Sequence, residues 1–389
     1  MYHKLIPSLS GSQALIHFFF WGSITAEEGA GGRKPTTTTM EAATGTVDDA
    51  YGFPIPVASE QERAKCAKVE SKSGRAWERE WPGPLKGARA RENATASAGV
   101  MQQLSYRHLK SMCRQGVPAQ FRPTVWFHAS GAHDRMALEG DRVRYSELCK
   151  EGHSAPSSSS PSDSDKARNQ IELDIPRTFP DHAWVSTAEG HAALRRVLVA
   201  ISRYDGKTGY CQSLNYVAAF LLVALEKDEE KTFWIMASVM NEKVLADTWS
   251  KNLSGCLVEM DTLSTLLRKR QKKVADHFES IGCDVSYFAT DWFLCLYCKS
   301  LPSETAARIW DSLLLEGPKV LFRVALAIIK LCRKDLLAAT NPGDVLQILR
   351  SKQEALHDRC ELMKVAFNGL GSLPYGKIQK YRQRSKHLM

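Results

Sequence analysis

From residue 170 onward the chain repeats apolar side chains at helical spacing with hardly a break. Leu194, Val197, Leu198 and Ile201 stand at i, i+3, i+4 and i+7, the stripe of an amphipathic helix. Residues 214–225 are apolar on nearly every side, a pattern a helix tolerates only at the centre of a fold. The pattern continues through 233–240, 257–267, 292–298, 308–315 and 320–332. Punctuation falls at Gly282, Pro302, Gly317-Pro318 and Pro342-Gly343, at distances suited to separate helices. Strand-type alternation with hairpin turns is missing, and no internal repeat is present. The spacing therefore predicts an all-α unit of about 280 residues, its helices packed in a multi-helix, non-bundle arrangement.

Around this unit the texture changes. Residues 1–100 read as a largely disordered N-terminal extension, because small and polar residues interrupt every periodic run. An apolar patch at 14–24 has the length of a signal-peptide core, but His17 breaks it and no small-x-small cleavage pattern follows. Met40 also opens a plausible start, which leaves the status of residues 1–39 open. The folded unit is expected at 104–370. A Pro- and Ser-rich stretch beginning Ser154-Ala155-Pro156-Ser157 marks an insertion at about 154–168. Residues 371–389 read as a basic tail.

Composition excludes several functions. With 43% hydrophobic and 24% charged residues the chain suits a globular domain, and no apolar run approaches the ~20 residues of a membrane span. The ten cysteines show no short-spaced framework, which suits a reducing compartment. Cys295-Leu296-Tyr297-Cys298 sits in an apolar run without companion ligands and reads as core. The net charge of +9 is mild. Arg268-Lys269-Arg270-Gln271-Lys272-Lys273 and the basic residues of 377–386 read first as a solvated helix end and a frayed tail, with anionic lipid as a secondary contact. Aromatics for base stacking are not interleaved, so nucleic acid is not the expected partner. Neither a Gly-rich phosphate loop nor an H-E-x-x-H metal motif occurs, so no cofactor of the chain's own is expected.

Two segments stand apart from the helical background. Ile171-Glu172-Leu173-Asp174-Ile175-Pro176-Arg177-Thr178-Phe179-Pro180 places one arginine between two prolines and three residues after an aspartate. Proline restricts the backbone on both sides, so Arg177 should be presented at a defined turn or helix start. Gly209-Tyr210-Cys211-Gln212-Ser213-Leu214-Asn215 leads straight into the buried helix and holds an amide side chain at the rim of the core. Taken singly, each has a plain reading: Arg177 in a structural salt bridge, Gln212 and Asn215 as capping residues, Cys211 as a thiol beside a remote histidine.

In order along the chain these strings resemble the TBC domain of Rab GTPase-activating proteins, over roughly residues 104–370. Ile171, Asp174 and Arg177 match the I-x-x-D-x-x-R signature, and Tyr210-Cys211-Gln212 matches Y-x-Q. Arg122 and Trp126 match an upstream R-x-x-x-W element, and Trp292, Leu301-Pro302 and Arg308-Ile309-Trp310-Asp311 look like later helices of the family. Asp49-Ala50-Tyr51-Gly52-Phe53 is similar to the N-terminal segment of the growth-hormone-regulated TBC protein group.

The resemblance implies that Arg177 is an arginine finger and Gln212 a glutamine finger, lent in trans to a GTP-loaded Rab that carries the nucleotide and Mg²⁺. Asp174, Asn215, Tyr210, Arg122 and Trp126 would support them. The lack of a convincing signal or span sets the expectation of a cytoplasmic protein, peripheral to endomembranes through the Rab, with the basic clusters as an added contact. Two departures bear on this. Ser213 stands where the family usually has glycine, and Leu214 where methionine is usual. A backbone there that needs positive φ would be strained by serine. A catalytically weak effector or scaffold is the alternative.

Overall fold

The computed structural model describes residues 45–80, 104–150, 163–240, 245 and 247–388. Its elements begin with strands β1 (Thr46–Asp48) and β2 (Pro54–Pro56) and helix α1 (Glu60–Glu80). There follow α2 (Tyr106–Gln115), α3 (Arg122–Ala129), α4 (Ala132–Glu139), α5 (Tyr145–Leu148), α6 (Asp163–Asp174) and α7 (Ala188–Tyr204). The central part comprises α8 (Leu214–Ala224), α9 (Glu229–Val239), α10 (Ser254–Arg270), α11 (Lys272–Ser280) and α12 (Ser286–Leu294). The last third comprises α13 (Ser303–Glu316), α14 (Lys319–Leu331), α15 (Arg333–Ala338), α16 (Pro342–Glu354), α17 (Arg359–Asn368) and α18 (Tyr375–Leu388). Among the described residues the strand content is one antiparallel pair, with Val47 opposite Ile55.

The all-apolar segment is the buried centre. On α8, Leu214, Ala218, Ala219, Leu221 and Leu222 are fully buried, and the helix packs on α7 and α9. Burying each such leucine contributes about 1.5–3 kcal/mol, so this helix anchors whatever its first turn carries. Phe220 reaches the Trp310 ring of α13 at 5.5 Å, and Trp126 of α3 lies 5.8 Å from Trp310. Cys295 and Cys298 are buried in the same core. Helix breaks coincide with the punctuation: Gly282 and Gly317 take φ of +67° and +76°, α13 starts after Pro302, and Pro342 opens α16.

Three boundaries differ from the sequence expectations. Residues 45–80, set within a largely disordered extension, are folded onto the domain. Trp77 of α1 is fully buried and donates its indole N–H to the Gly116 carbonyl at 2.8 Å. Arg63 pairs with Glu304 at 2.8 Å, and Arg359 with Glu70 at 2.7 Å. Helix α1 is held by one tryptophan, one buried cysteine (Cys66) and ion pairs rather than an apolar stripe, so periodicity has little to detect. The patch at 14–24, the question of residues 1–39 and the Ser-rich run up to 162 lie outside the described residues.

Second, the insertion expected to reach 168 gives way to helix at Asp163. Asp163 and Asp165 lie in the first turn, where carboxylates favour the helix dipole, and Asp163 also pairs with Lys251 at 2.7 Å. Third, residues 375–388 are not a frayed tail but α18, packed on α10. Ile378 is fully buried. Arg382 donates to both oxygens of the buried Glu259, at 2.9 and 2.5 Å. Within a basic run that looks solvated in sequence, Arg382 is paired with a buried acid on another helix, while Lys377, Lys380 and Arg384 are exposed.

Candidate functional site

Helix α6 ends in a tight 3-10 turn, Ile175–Arg177. Ile171 and Ile175 are buried against the core, which fixes the rotation of the turn and leaves Arg177 as its last residue. Arg177 therefore sits at a helix end. The next residues are irregular, and Phe179 takes φ of +46°, an uncommon conformation for a bulky side chain. Asp174 is fully buried. Its Oδ1 accepts from the Arg177 guanidinium and from Gln170 Nε2 at 2.9 Å, and its Oδ2 accepts from the Tyr210 hydroxyl at 2.5 Å. The Arg177 side chain nevertheless keeps 33% of its surface exposed.

The Tyr210 bond brings in the second segment. Burial first, and then the Asp174 carboxylate, hold the Tyr210 hydroxyl protonated well above the ordinary tyrosine range. It is thus a permanent donor. Beyond Gln212 the backbone turns at Ser213, with φ of +122°, and enters α8. Asn215, fully buried, accepts the Ser213 N–H at 3.0 Å through Oδ1. Its Nδ2 donates to Thr178 Oγ1 at 2.8 Å, and that hydroxyl donates to the Asp174 carbonyl at 2.6 Å. Tyr216 adds a longer bond to the Arg177 carbonyl at 3.4 Å.

The Arg177 turn and the Gln212 loop are therefore one hydrogen-bonded body, seated on the buried first turn of α8. The Gln212 amide, half-buried, has no hydrogen-bond partner among the described residues, so its donors and acceptor are available. Cys211 does not act as a nucleophile here: burial pushes its thiol up to about 12, leaving almost no thiolate at neutral pH.

Ser213 pays for the turn. A φ of +122° is glycine territory, and the serine hydroxyl is buried with no good hydrogen bond, the Cys211 thiol being its near polar neighbour. The strain that serine was expected to meet at this position is present.

Arg122 and Trp126 are brought to a different centre. Arg122 donates from Nε and Nη2 to both oxygens of Asp311, at 2.9 and 3.0 Å, and from its third nitrogen to the Tyr51 hydroxyl. Trp126 Nε1 and the Val117 N–H complete the Asp311 shell, each at 3.0 Å. This network joins α3 to α13 and contains neither loop. Sequence reading gave no role to Thr178, Tyr216, Gln170 or Asp311. Thr178 and Asp311 lay inside quoted strings, but a bridging hydroxyl leaves no periodic trace. Among the described residues, a group with metal-ligand spacing is Cys66, Asp358 and Cys360, on elements that carry neither loop.

The arrangement offers a guanidinium, and an amide without a side-chain partner among the described residues, tied together through Asp174, Tyr210, Thr178 and Asn215. Comparison with known proteins gives it a context. A family model described as the Rab-GTPase-TBC domain matches residues 119–337. Growth hormone-regulated TBC protein 1 of Xenopus laevis is 33% identical over 283 residues, which cover 72% of this chain and 79% of that protein. TBC1 domain family member 2A of Mus musculus is 34% identical over 276 residues, 70% of this chain, which spans only 29% of that longer protein. The crystal structure of the Chlamydomonas flagellar RabGAP TBC domain superposes with a TM-score of 0.68 at 34% identity, covering 83% of this chain and all of that one.

Proposed function

Because the chain belongs to the Rab-GTPase-TBC domain family, we propose that it is a GTPase-activating protein that lends Arg177 and Gln212 in trans to a GTP-loaded Rab. The observation that carries this reading is the union of the two loops through Asp174, Tyr210, Thr178 and Asn215. Phosphoryl transfer needs positive charge on the γ-phosphate oxygens and a positioned water. Arginine stays protonated and presents a planar donor fork, while the glutamine amide offers both a donor and an acceptor to a water and to partner backbone. Two such groups from separate, independently moving loops would lose orientation. Here they are tied through shared buried bonds, which is the preorganisation that transition-state stabilisation requires. Nucleotide and Mg²⁺ belong to the partner, and the protein acts as an activator in vesicle trafficking.

The same reading places it in the cytoplasm, drawn to endomembranes by the Rab. No helix among the described residues is long and apolar enough to cross a membrane. The junction of α10 and α11 adds attraction to anionic lipid: Lys269, Lys272, Lys273, Lys330 and Arg333 surround one cavity of about 460 Å³.

The test is phosphate release from a panel of GTP-loaded Rabs, with wild type, Arg177→Ala and Gln212→Ala side by side. Acceleration of one or a few Rabs that both substitutions abolish is the expected result. Strained Ser213, next to Gln212, supports a second reading as a weakly catalytic effector or scaffold. GTP-dependent Rab binding without any acceleration, indifferent to both substitutions, would favour it.

A further inference from the structure

The β1–β2 hairpin lies outside residues 119–337, yet its turn is built against the arginine loop. Asp49 shapes the turn: its Oδ1 accepts the N–H groups of Tyr51 and Phe53 at 2.8 and 3.0 Å, and its carbonyl accepts from Gly52 at 3.1 Å. Gly52 takes φ of +81°, a conformation that glycine adopts without strain, and so closes the turn beside His182. The turn is pinned to the body of the domain. Asp49 Oδ2 accepts from the Ser303 hydroxyl, the Ala50 N–H donates to Glu304 at 3.2 Å, and the Tyr51 hydroxyl accepts from Arg122.

From that anchored turn two contacts reach the loop that follows Arg177. His182 Nδ1 accepts the N–H groups of Trp184 and Val185, at 3.0 and 3.1 Å, so its ring proton sits on Nε2. That proton is donated to the Tyr51 carbonyl at 2.8 Å. The Phe53 ring stands edge-on to Phe179 at 5.0 Å and to His182 at 4.5 Å. Phe179 also meets the Tyr216 ring edge-on at 5.2 Å. A positive-φ phenylalanine two residues beyond Arg177 persists only where its surroundings over-determine it. Two rings and a histidine clamp, supplied in part by the hairpin, are those surroundings.

We propose that the Asp49–Phe53 turn is a positioning element of the arginine loop, with Phe53 acting through Phe179 and His182 to set where Arg177 points. This rests on the reading of Arg177 as the catalytic arginine. Phe53 is half-buried, so removing its ring need not unfold the domain.

The test combines two measurements on the full chain. In single-turnover hydrolysis with the responsive Rab, Phe53→Ala should lower the maximal rate about 10–100-fold while the half-saturating concentration shifts by less than about threefold, as misplacement of a catalytic group does. Phe53→Tyr, which keeps the ring, should restore most of the rate. In hydrogen–deuterium exchange, Phe53→Ala should raise exchange over 177–186 and leave 303–331 unchanged. Exchange needs no Rab, so it separates this inference from the function: a loosened loop in a protein that activates no Rab leaves the clamp standing and removes the activator reading. Unchanged exchange and unchanged rate would overturn the clamp. So would exchange raised evenly across the domain, which marks a general structural role. If Phe53→Ala fails to fold, Phe53→Leu carries the same pair of expectations with a smaller rate loss.

Discussion

Arg122 and Arg177 each bond a fully buried aspartate, and the protein treats the two pairs in opposite ways. Arg122 is almost enclosed and gives two nitrogens to Asp311 and a third to Tyr51. Arg177 keeps a third of its side chain exposed and gives Asp174 one nitrogen. The carboxylates differ as well. If Arg122 left, Asp311 would retain an indole, one backbone N–H and Arg308 at a loose 4.0 Å, with no guanidinium bonded to it. If Arg177 left, Asp174 would keep Gln170 on one oxygen and Tyr210 on the other. What makes an arginine available is therefore how well its partner is satisfied without it, more than how strong the pair looks. Asp174 parks the guanidinium without depending on it.

The largest effect should come from Arg177→Ala. An arginine finger contributes about 10³–10⁵ in rate, and its removal should take that much from stimulated GTP hydrolysis. Its cost in stability should stay at about 1.5–3 kcal/mol, that of one hydrogen bond to a charged group, and below the ~3–5 kcal/mol of a broken buried pair, because Asp174 keeps Gln170 and Tyr210. Arg177→Lys should not rescue, since an ammonium lacks the fork. Rate and melting curve together are the check. A large loss of stability with Arg177→Ala would erase the distinction between the two pairs.

Arg122→Met should give the mirror image. Breaking a buried pair by removing one partner costs about 3–5 kcal/mol, which denaturant unfolding will register. Ser303 and Glu304 still pin the Asp49–Phe53 turn when the Tyr51 bond is lost, so the hydrolysis rate per folded molecule should stay within a few-fold of wild type. An Arg122 variant that melts normally but has lost its rate would move this arginine into the site and refute the comparison.

The bonds that let Asp174 release Arg177 can be tested next. Tyr210→Phe removes the donor on Asp174 Oδ2 and one of the ties between the loops. A hydrogen bond to a charged group contributes about 1.5–3 kcal/mol, so stability should fall by that order. The rate should fall about tenfold as the loops lose register. A stable Tyr210→Phe with full rate would mean that Asn215 and Thr178 alone hold the loops together.

How much of this was legible in the sequence follows from the kind of force involved. Residues 214–225 announce a buried helix because burial is written as apolar spacing. Arg177 and Gln212 stand out because prolines and a helix entry bracket them in short strings. Trp77 and Arg382 did not stand out, since a single indole or a cation paired with a remote Glu259 has no periodicity. Thr178 was hidden for a related reason: its hydroxyl, bonded to the Asp174 carbonyl, meets Asn215 across 37 positions, a relation that only the fold creates. Charge pairing and hydrogen bonding between distant segments are properties of the assembled chain, and the N- and C-terminal elements misread from sequence are the ones held mainly by them.

The smallest expected effect has the sharpest sign. Ser213 adopts φ of +122° with ψ of −31°, and its buried hydroxyl is poorly satisfied. Glycine relieves a backbone strain of about 1–3 kcal/mol. It also frees the unfolded chain, which takes back roughly 0.4–1 kcal/mol. Ser213→Gly should therefore stabilise the protein by about 1 kcal/mol, a rise in melting temperature of a few degrees. Its effect on rate discriminates more. The Ser213 N–H already bonds Asn215 Oδ1, so the backbone that carries Gln212 is in place with serine or glycine. The hydrolysis rate should then stay within about twofold, since no catalytic group moves. A tenfold rise instead would mean that serine holds Gln212 away from its working position, and that Arg177 is the better placed of the two fingers in the natural chain.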